Sequence, residues 1–134
     1  MKIDGACHCG QISYTAEIDL ETVAICHCTD CQTLSGSAFR TVVPVKREGF
    51  HVSGEPKVYV KTAESGRQRA QAFCPECGTP IYATSVADPQ LYSLRLGTAR
   101  QRAELAPRMQ QWTRSACGWV DGIAAIPKVE KQRG

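Results

Sequence analysis

The sequence predicts a small, mainly β protein built of short antiparallel strands whose connecting loops carry cysteines. Three observations lead there. Apolar and polar residues alternate with a period of two in several short stretches. Turn-forming residues interrupt those stretches at close intervals, and helical periodicity is scarce. Seven of the eight cysteines fall into three tight groups between strand-like segments, leaving Cys117 alone.

Taken in order, Ile12, Tyr14, Ala16 and Ile18 alternate with Gln11, Ser13, Thr15 and Glu17, the pattern of a half-buried strand. One helical turn is expected over Asp30 to Leu34, with Asp30 as its cap. Ala38 to Val43 is rich in β-formers and is expected to end at Pro44. Residues 57–61 and 67–73 flank Glu64-Ser65-Gly66 and predict a hairpin. Pro80 to Thr84 and Leu91 to Leu96 give two more strands around Asp88-Pro89, and a second helical turn is expected across Arg100 to Leu105. Residues 1–127 read as one domain, and the polar 128–134 as a C-terminal tail.

Composition narrows the class. With 43% hydrophobic and 22% charged residues in 134, the chain reads as an ordinary globular domain able to bury a modest core. No apolar run approaches the ~20 residues of a membrane span. The first cysteine group follows Met1-Lys2-Ile3-Asp4-Gly5 with no apolar signal segment between, which predicts a cytoplasmic protein with reduced thiols. Eight cysteines in such a setting favour metal over disulfides. The formal charge of +3 does not point to nucleic acid: seven deprotonated cysteines and two divalent ions together lower it by three, to zero.

Each cysteine group has metal-ligand geometry. In Cys7-His8-Cys9 the outer side chains share one face of an extended segment, so both reach one ion. Cys74-Pro75-Glu76-Cys77-Gly78 sets two thiolates around a tight turn whose N–H groups point at the sulfurs. Two such pairs make a closed site of four thiolates. Cys26-His27-Cys28-Thr29-Asp30-Cys31 supplies three, one short of closure, and three protein ligands are what catalytic zinc sites keep. Spacing alone does not say which groups share an ion.

The order of these motifs resembles the glutathione-dependent formaldehyde-activating (GFA) family, which includes centromere protein V-type domains. The matching segments are Gly5-Ala6-Cys7-His8-Cys9-Gly10, Cys26-His27-Cys28-Thr29-Asp30-Cys31 with Ser35-Gly36, and Phe73-Cys74-Pro75-Glu76-Cys77-Gly78-Thr79-Pro80, with Trp112 and Trp119 following. The resemblance spans residues 3 to 127. It implies an antiparallel β-tent with two zinc ions per chain. Cys7, Cys9, Cys74 and Cys77 would hold a structural zinc, and Cys26, Cys28 and Cys31 a catalytic one. It further implies a carbon–sulfur lyase, resembling S-(hydroxymethyl)glutathione synthase, that adds formaldehyde or a related small carbonyl to the thiol of glutathione held at the open three-cysteine zinc. Three cysteinates leave zinc electron-rich, so a soft thiol substrate suits the site better than activated water.

A dicarboxylate such as glutathione calls for cations, and Arg40, Arg95, Arg100, Arg102, Arg108 and Arg114 are the candidates, most of them expected to be solvated surface charge. His8 and His27 each sit between two ligand cysteines and are expected to pack or to support the ligands, while His51 reads as an ordinary strand residue. Trp112 and Trp119 are expected in the core or a pocket wall.

The chain departs from the family pattern at two places. The family often reads a histidine shortly before the first late tryptophan, where this chain has Arg108-Met109-Gln110-Gln111-Trp112. Cys117 is also unexpected. If it joined Cys26, Cys28 and Cys31, both sites would be closed and the protein would read instead as a non-enzymatic, zinc-stabilised binding domain.

Overall fold

Ten strands divide between two sheets in the computed structural model, which describes residues 1–134. β1 (Lys2–Ala6), β2 (Ser13–Glu17) and β5 (Phe50–Ser53) make the smaller sheet in that order. The larger holds β3 (Ala24–Cys26), β4 (Arg40–Lys46), β6 (Lys57–Thr62), β7 (Gln68–Phe73), β8 (Pro80–Ser85), β9 (Leu91–Arg95) and β10 (Met109–Gln111). Its order is β10-β3-β4-β9-β8-β7-β6, and every pairing is antiparallel except β10 with β3. The mainly β, antiparallel architecture agrees with the alternation in the sequence. The single α-helix, α1 (Thr29–Ser35), ends at Gly36, whose φ of 64° is the left-handed cap conformation glycine adopts without strain.

The alternating Ile12, Tyr14, Ala16 and Ile18 are all buried, and the core runs from them through Val43, Val45, Ile81 and Leu94 of the larger sheet. Phe50 of the small sheet closes on Tyr82 and Tyr92 of the large one, with ring centroids 5.5 and 5.1 Å apart. Cys7 and Cys74 belong to this same buried cluster. Cys26 and Cys31 lie in a second, smaller one with Ala24 and Val42. The two cysteine groups are thus seated in two different pieces of packing.

Four expectations need correction. β4 does not stop at Pro44 but runs on to Lys46. β3 pairs only with Arg40–Val42, so its flank is open beside Pro44, and a proline nitrogen costs no ladder bond on an open flank. The helical turn expected over 100–105 is only a 3₁₀ turn at Arg102–Glu104. The α1 cap is Cys28, not Asp30: the Cys28 sulfur accepts from the Cys31 N–H at 3.3 Å, and Asp30 in the first turn pairs with Lys61 of β6 instead. Trp112 and Trp119, expected in the core or a pocket wall, are 54% and 59% exposed and lie outside the core. Trp112 caps the 3₁₀ turn Thr113–Ser115 and Trp119 lies in the next, Gly118–Ala125, and neither turn contains a buried residue. No helix is long and apolar enough to cross a membrane.

Candidate functional site

The four-cysteine group joins the two sheets. After β1 the chain turns at Cys7, where the Gly10 N–H donates to the Cys7 carbonyl at 3.1 Å and the Ile12 N–H to the Cys7 sulfur at 3.2 Å. Between β7 and β8, Cys74 to Thr79 forms a second tight turn, closed by Gly78 N–H to Cys74 carbonyl at 2.8 Å with Gly78 at φ 78°. The four sulfurs lie within 4.8 Å of one another. Zinc–sulfur bonds of about 2.3 Å in a tetrahedron put the sulfurs about 3.8 Å apart. Cys7–Cys9 and Cys9–Cys74 are already at 3.6 and 3.7 Å. The donor set and its spacing therefore fit a closed zinc site.

Protons in this group are shared unevenly. The Thr79 hydroxyl, 3.2 Å from Cys77, and the backbone around it hold the Cys77 thiol down at about 5. The Gln11 N–H favours a thiolate at Cys9, but desolvation and the sulfurs of Cys7, Cys74 and Cys77 outweigh it and push Cys9 up to about 12. A bound cation would displace such retained protons.

The three-cysteine group is built by the end of β3 and the first turn of α1. Cys26 closes the strand, Cys28 caps the helix, and Cys31 follows one turn on, so the helical turn folds Cys28 and Cys31 back onto Cys26. Their sulfurs also lie within 4.8 Å of one another. The Cys31 thiol donates to Cys26 and holds it down at about 5 against the opposing effect of burial, with help from the Cys28 N–H and the Gln111 side chain. The same bond holds the proton on Cys31, whose ionisation is pushed up. The two thiols are therefore inequivalent, Cys26 favoured as the thiolate and Cys31 as the proton holder.

The surroundings of this group are ordered by glutamines. The parallel β10–β3 pairing sets Gln111 opposite Cys26 and Gln110 opposite Ile25. Gln110 Oε1 accepts from His27 Nε2 at 2.7 Å, and the Gln111 carbonyl accepts from the His27 N–H at 3.0 Å. Gln32 of α1 donates to the carbonyls of His27 and Ser115 at 2.8 and 3.0 Å, tying the ligand loop to the C-terminal segment. Hydrogen bonds of this kind fix ligand orientation in metal sites.

The family model described as glutathione-dependent formaldehyde-activating enzyme matches residues 2–115. The chain belongs to the GFA family. No curated protein matches it. Among solved structures, it is similar to a crystal structure of a Rhodobacter sphaeroides protein, with 16% identity and a TM-score of 0.63 over 81% of this chain and 99% of that one. At that identity the likeness concerns the fold.

Within this GFA domain, the seven cysteines singled out by spacing are the ones brought together: Cys7, Cys9, Cys74 and Cys77 in one cluster, Cys26, Cys28 and Cys31 in the other. Cys117 joins neither, and its sulfur instead approaches Gln32 Oε1 at 3.9 Å. His27 is 1% exposed and packs against Phe39, while His8 is exposed, as is His51 on β5. The arginines separate clearly. Arg100 pairs with Asp4, Arg108 with Glu21, and Arg114 lies over the Trp112 ring, all at the surface. Arg40 and Arg95 are buried, Arg40 directly opposite Cys26 across the β3–β4 ladder.

Sequence reasoning missed Gln32, Gln110, Gln111 and Thr79 as supporting residues. Thr79 stood inside the quoted Cys74-to-Pro80 motif and was legible as a neighbour of sulfur. Gln110 and Gln111 were legible only as the place where the family pattern lapses, since nothing local announces that β10 lies beside β3.

Proposed function

We propose that this chain is a carbon–sulfur lyase that reversibly joins formaldehyde, or a related small carbonyl compound, to the thiol of glutathione. The family supplies the reaction class. The observation that carries the reading is the gathering of Cys26, Cys28 and Cys31 without a fourth protein sulfur. Cys7, Cys9, Cys74 and Cys77 would hold a structural zinc, and Cys26, Cys28 and Cys31 a catalytic zinc with a coordination position left for substrate.

Zinc bound at the three cysteines would supply a thiolate at neutral pH, because a coordinating thiol loses its proton. A free thiol with pKa about 8.5 is only a few per cent ionised at pH 7, so full ionisation raises the thiolate fraction about 30-fold, about 2 kcal/mol. The substrate sulfur attacks the carbonyl carbon, the carbon–sulfur bond forms, and the π pair moves to oxygen, which takes a proton from solvent. The reverse step breaks the same bond. Gln111 lies opposite Cys26 on the neighbouring strand, and Gln110 fixes the His27 ring through its bond to Nε2. A cavity of about 550 Å³ opens beside β4 and α1, within the ~300–1,000 Å³ typical of small-molecule sites.

The competing reading, a binding domain with two closed metal sites, required Cys117 as a fourth sulfur. Its place at Gln32, outside the cluster, favours the lyase. The test is NMR detection of S-hydroxymethylglutathione formation from glutathione and formaldehyde by metal-loaded protein. The expected result is turnover above the spontaneous rate that disappears in Cys31→Ser. Turnover equal to the spontaneous rate would sink the proposal.

A further inference from the structure

Two arginines are buried side by side without a carboxylate partner. Arg40 on β4 and Arg95 on β9 are each 7% exposed, and neither makes an ion pair. Arg95 is opposite Val42, two residues along from Arg40, so the two side chains share one face of the sheet as diagonal neighbours. Arg95 donates to Ser93 Oγ at 3.1 Å and Gln71 Oε1 at 2.9 Å. Three further donors, Arg40 Nε, Arg40 Nη2 and Arg95 Nε, are shielded from solvent and bonded to nothing. Buried cationic donors left unsatisfied are among the costliest features a fold can carry.

The nearby sulfurs balance only part of this charge. A divalent ion on three cysteinates carries a net charge of −1, whereas the two guanidiniums carry +2, so one positive charge remains. Both arginines line the cavity of about 550 Å³, with Arg102 beside them and no aspartate or glutamate anywhere in its wall. The cavity also reaches from Ser35 at the end of α1, past Arg40 opposite Cys26, to His8 and Thr79 beside the four-cysteine cluster. The unbonded donors call for an anionic acceptor, and a planar carboxylate matches the guanidinium fork.

We propose that Arg40 and Arg95 form a carboxylate receptor that anchors the substrate in this cavity and directs its thiol end toward Cys26, Cys28 and Cys31. The thiol half of the statement rests on the lyase reading; the receptor half does not. Arg102, exposed at the same cavity, adds a third cation for a second carboxylate or for attraction during entry.

The two halves are separated by S-methylglutathione, whose carboxylates are intact and whose thiol is blocked, and by glutathione diethyl ester, whose thiol is intact and whose carboxylates are masked. Calorimetry is run on metal-saturated protein with metal content checked for each variant. S-methylglutathione is expected to bind the wild type and to lose at least ~10-fold in affinity in Arg95→Met, while the diester changes less than ~2-fold between the two proteins. Arg95→Lys, which keeps the charge without the fork, is expected to fall between them. An assay without substitution uses ¹⁵N-labelled wild-type protein: the slowly exchanging arginine Nε–H signals should shift on addition of S-methylglutathione. Absence of binding, equal affinity in Arg95→Met, or unmoved Nε–H signals would overturn the receptor. Carboxylate-dependent binding without turnover would leave the receptor standing and remove the lyase.

Discussion

Cys26 and Arg40 occupy directly opposed positions on β3 and β4, both buried, so a sulfur of the three-cysteine cluster and an unpaired guanidinium share one patch of sheet. Their proximity is electrostatically useful. Cysteinates concentrate negative charge, and the Arg40 charge favours the ionised form of neighbouring Cys31. Arg40→Met is expected to weaken metal retention by the three-cysteine site about 10-fold, the scale on which residues supporting metal ligands act. Competition with a chromophoric chelator measures this. Arg40→Lys should retain most of the affinity, and an unchanged affinity in Arg40→Met would show that the cation plays no part in holding the ion.

The two cysteine clusters should be separable by mutation because they sit in different packing units. Cys74 is fully buried in the core that spans both sheets, whereas Cys28 lies half-buried at the cap of α1. Cys28→Ser keeps a side-chain oxygen able to cap the helix and is expected to hold one metal ion per chain instead of two, with its cooperative melt preserved. Cys74→Ser is expected to lose the cooperative transition, since structural zinc sites in small domains contribute on the order of 10 kcal/mol to folding. Elemental analysis together with thermal unfolding by circular dichroism checks both. Equal stability of the two variants would contradict the assignment of distinct roles.

The contrast between those clusters also explains what the sequence could reveal. Cys7/Cys9, Cys28/Cys31 and Cys74/Cys77 are short-range pairs, and a turn or a strand brings each pair together without help from the rest of the fold. The alternation at Ile12 to Ile18 is equally local. Arg40 and Arg95 carried no local mark distinguishing them from Arg100 or Arg108, because their burial depends on the β4–β9 register, a pairing of residues some fifty positions apart. Gln111 is similar: it meets Cys26 through a parallel pairing across eighty-five residues. Pro44 and Asp30 misled for a different reason. Each has a strong local preference, as a strand breaker and as a cap, that tertiary context overrode through an open flank and a neighbouring lysine.

Gly5 is the tightest point between the small sheet and the segment leading to Arg100. A Cβ at this position would run into the Thr98 carbonyl oxygen and the Tyr14 hydroxyl, and the obstructing carbonyl is backbone that cannot rotate aside. Gly5 also bridges Ala99, while Tyr14 and Thr98 hydrogen-bond at 2.8 Å, so a shift would disturb all three. Gly5→Ala is expected to destabilise by roughly 1–3 kcal/mol, the usual cost of overpacking. Urea denaturation measures it through a lower midpoint at unchanged slope. Gly97→Ala, where an added methyl meets nothing within 4 Å, serves as the tolerated control.

Asp4 gives the same junction a pH dependence of known sign. The Arg100 guanidinium, donating to Asp4 at 2.9 Å, and the Gln101 amide hold its carboxyl below the ordinary value of 3.8. A carboxyl lowered in the folded state contributes stability that is complete above its unfolded value and is lost as pH falls through the lower folded one. Asp4→Asn should therefore melt at a modestly lower temperature than wild type near neutral pH, and the difference should close below pH 3.8. Asp4 and Arg100 are exposed, so added salt should also narrow the gap. Melting curves of the two proteins, compared at each pH because acid takes metal from both alike, provide the check. A gap that persists unchanged in acid would mean that Asp4 acts through the shape of its hydrogen bonds and not through its charge.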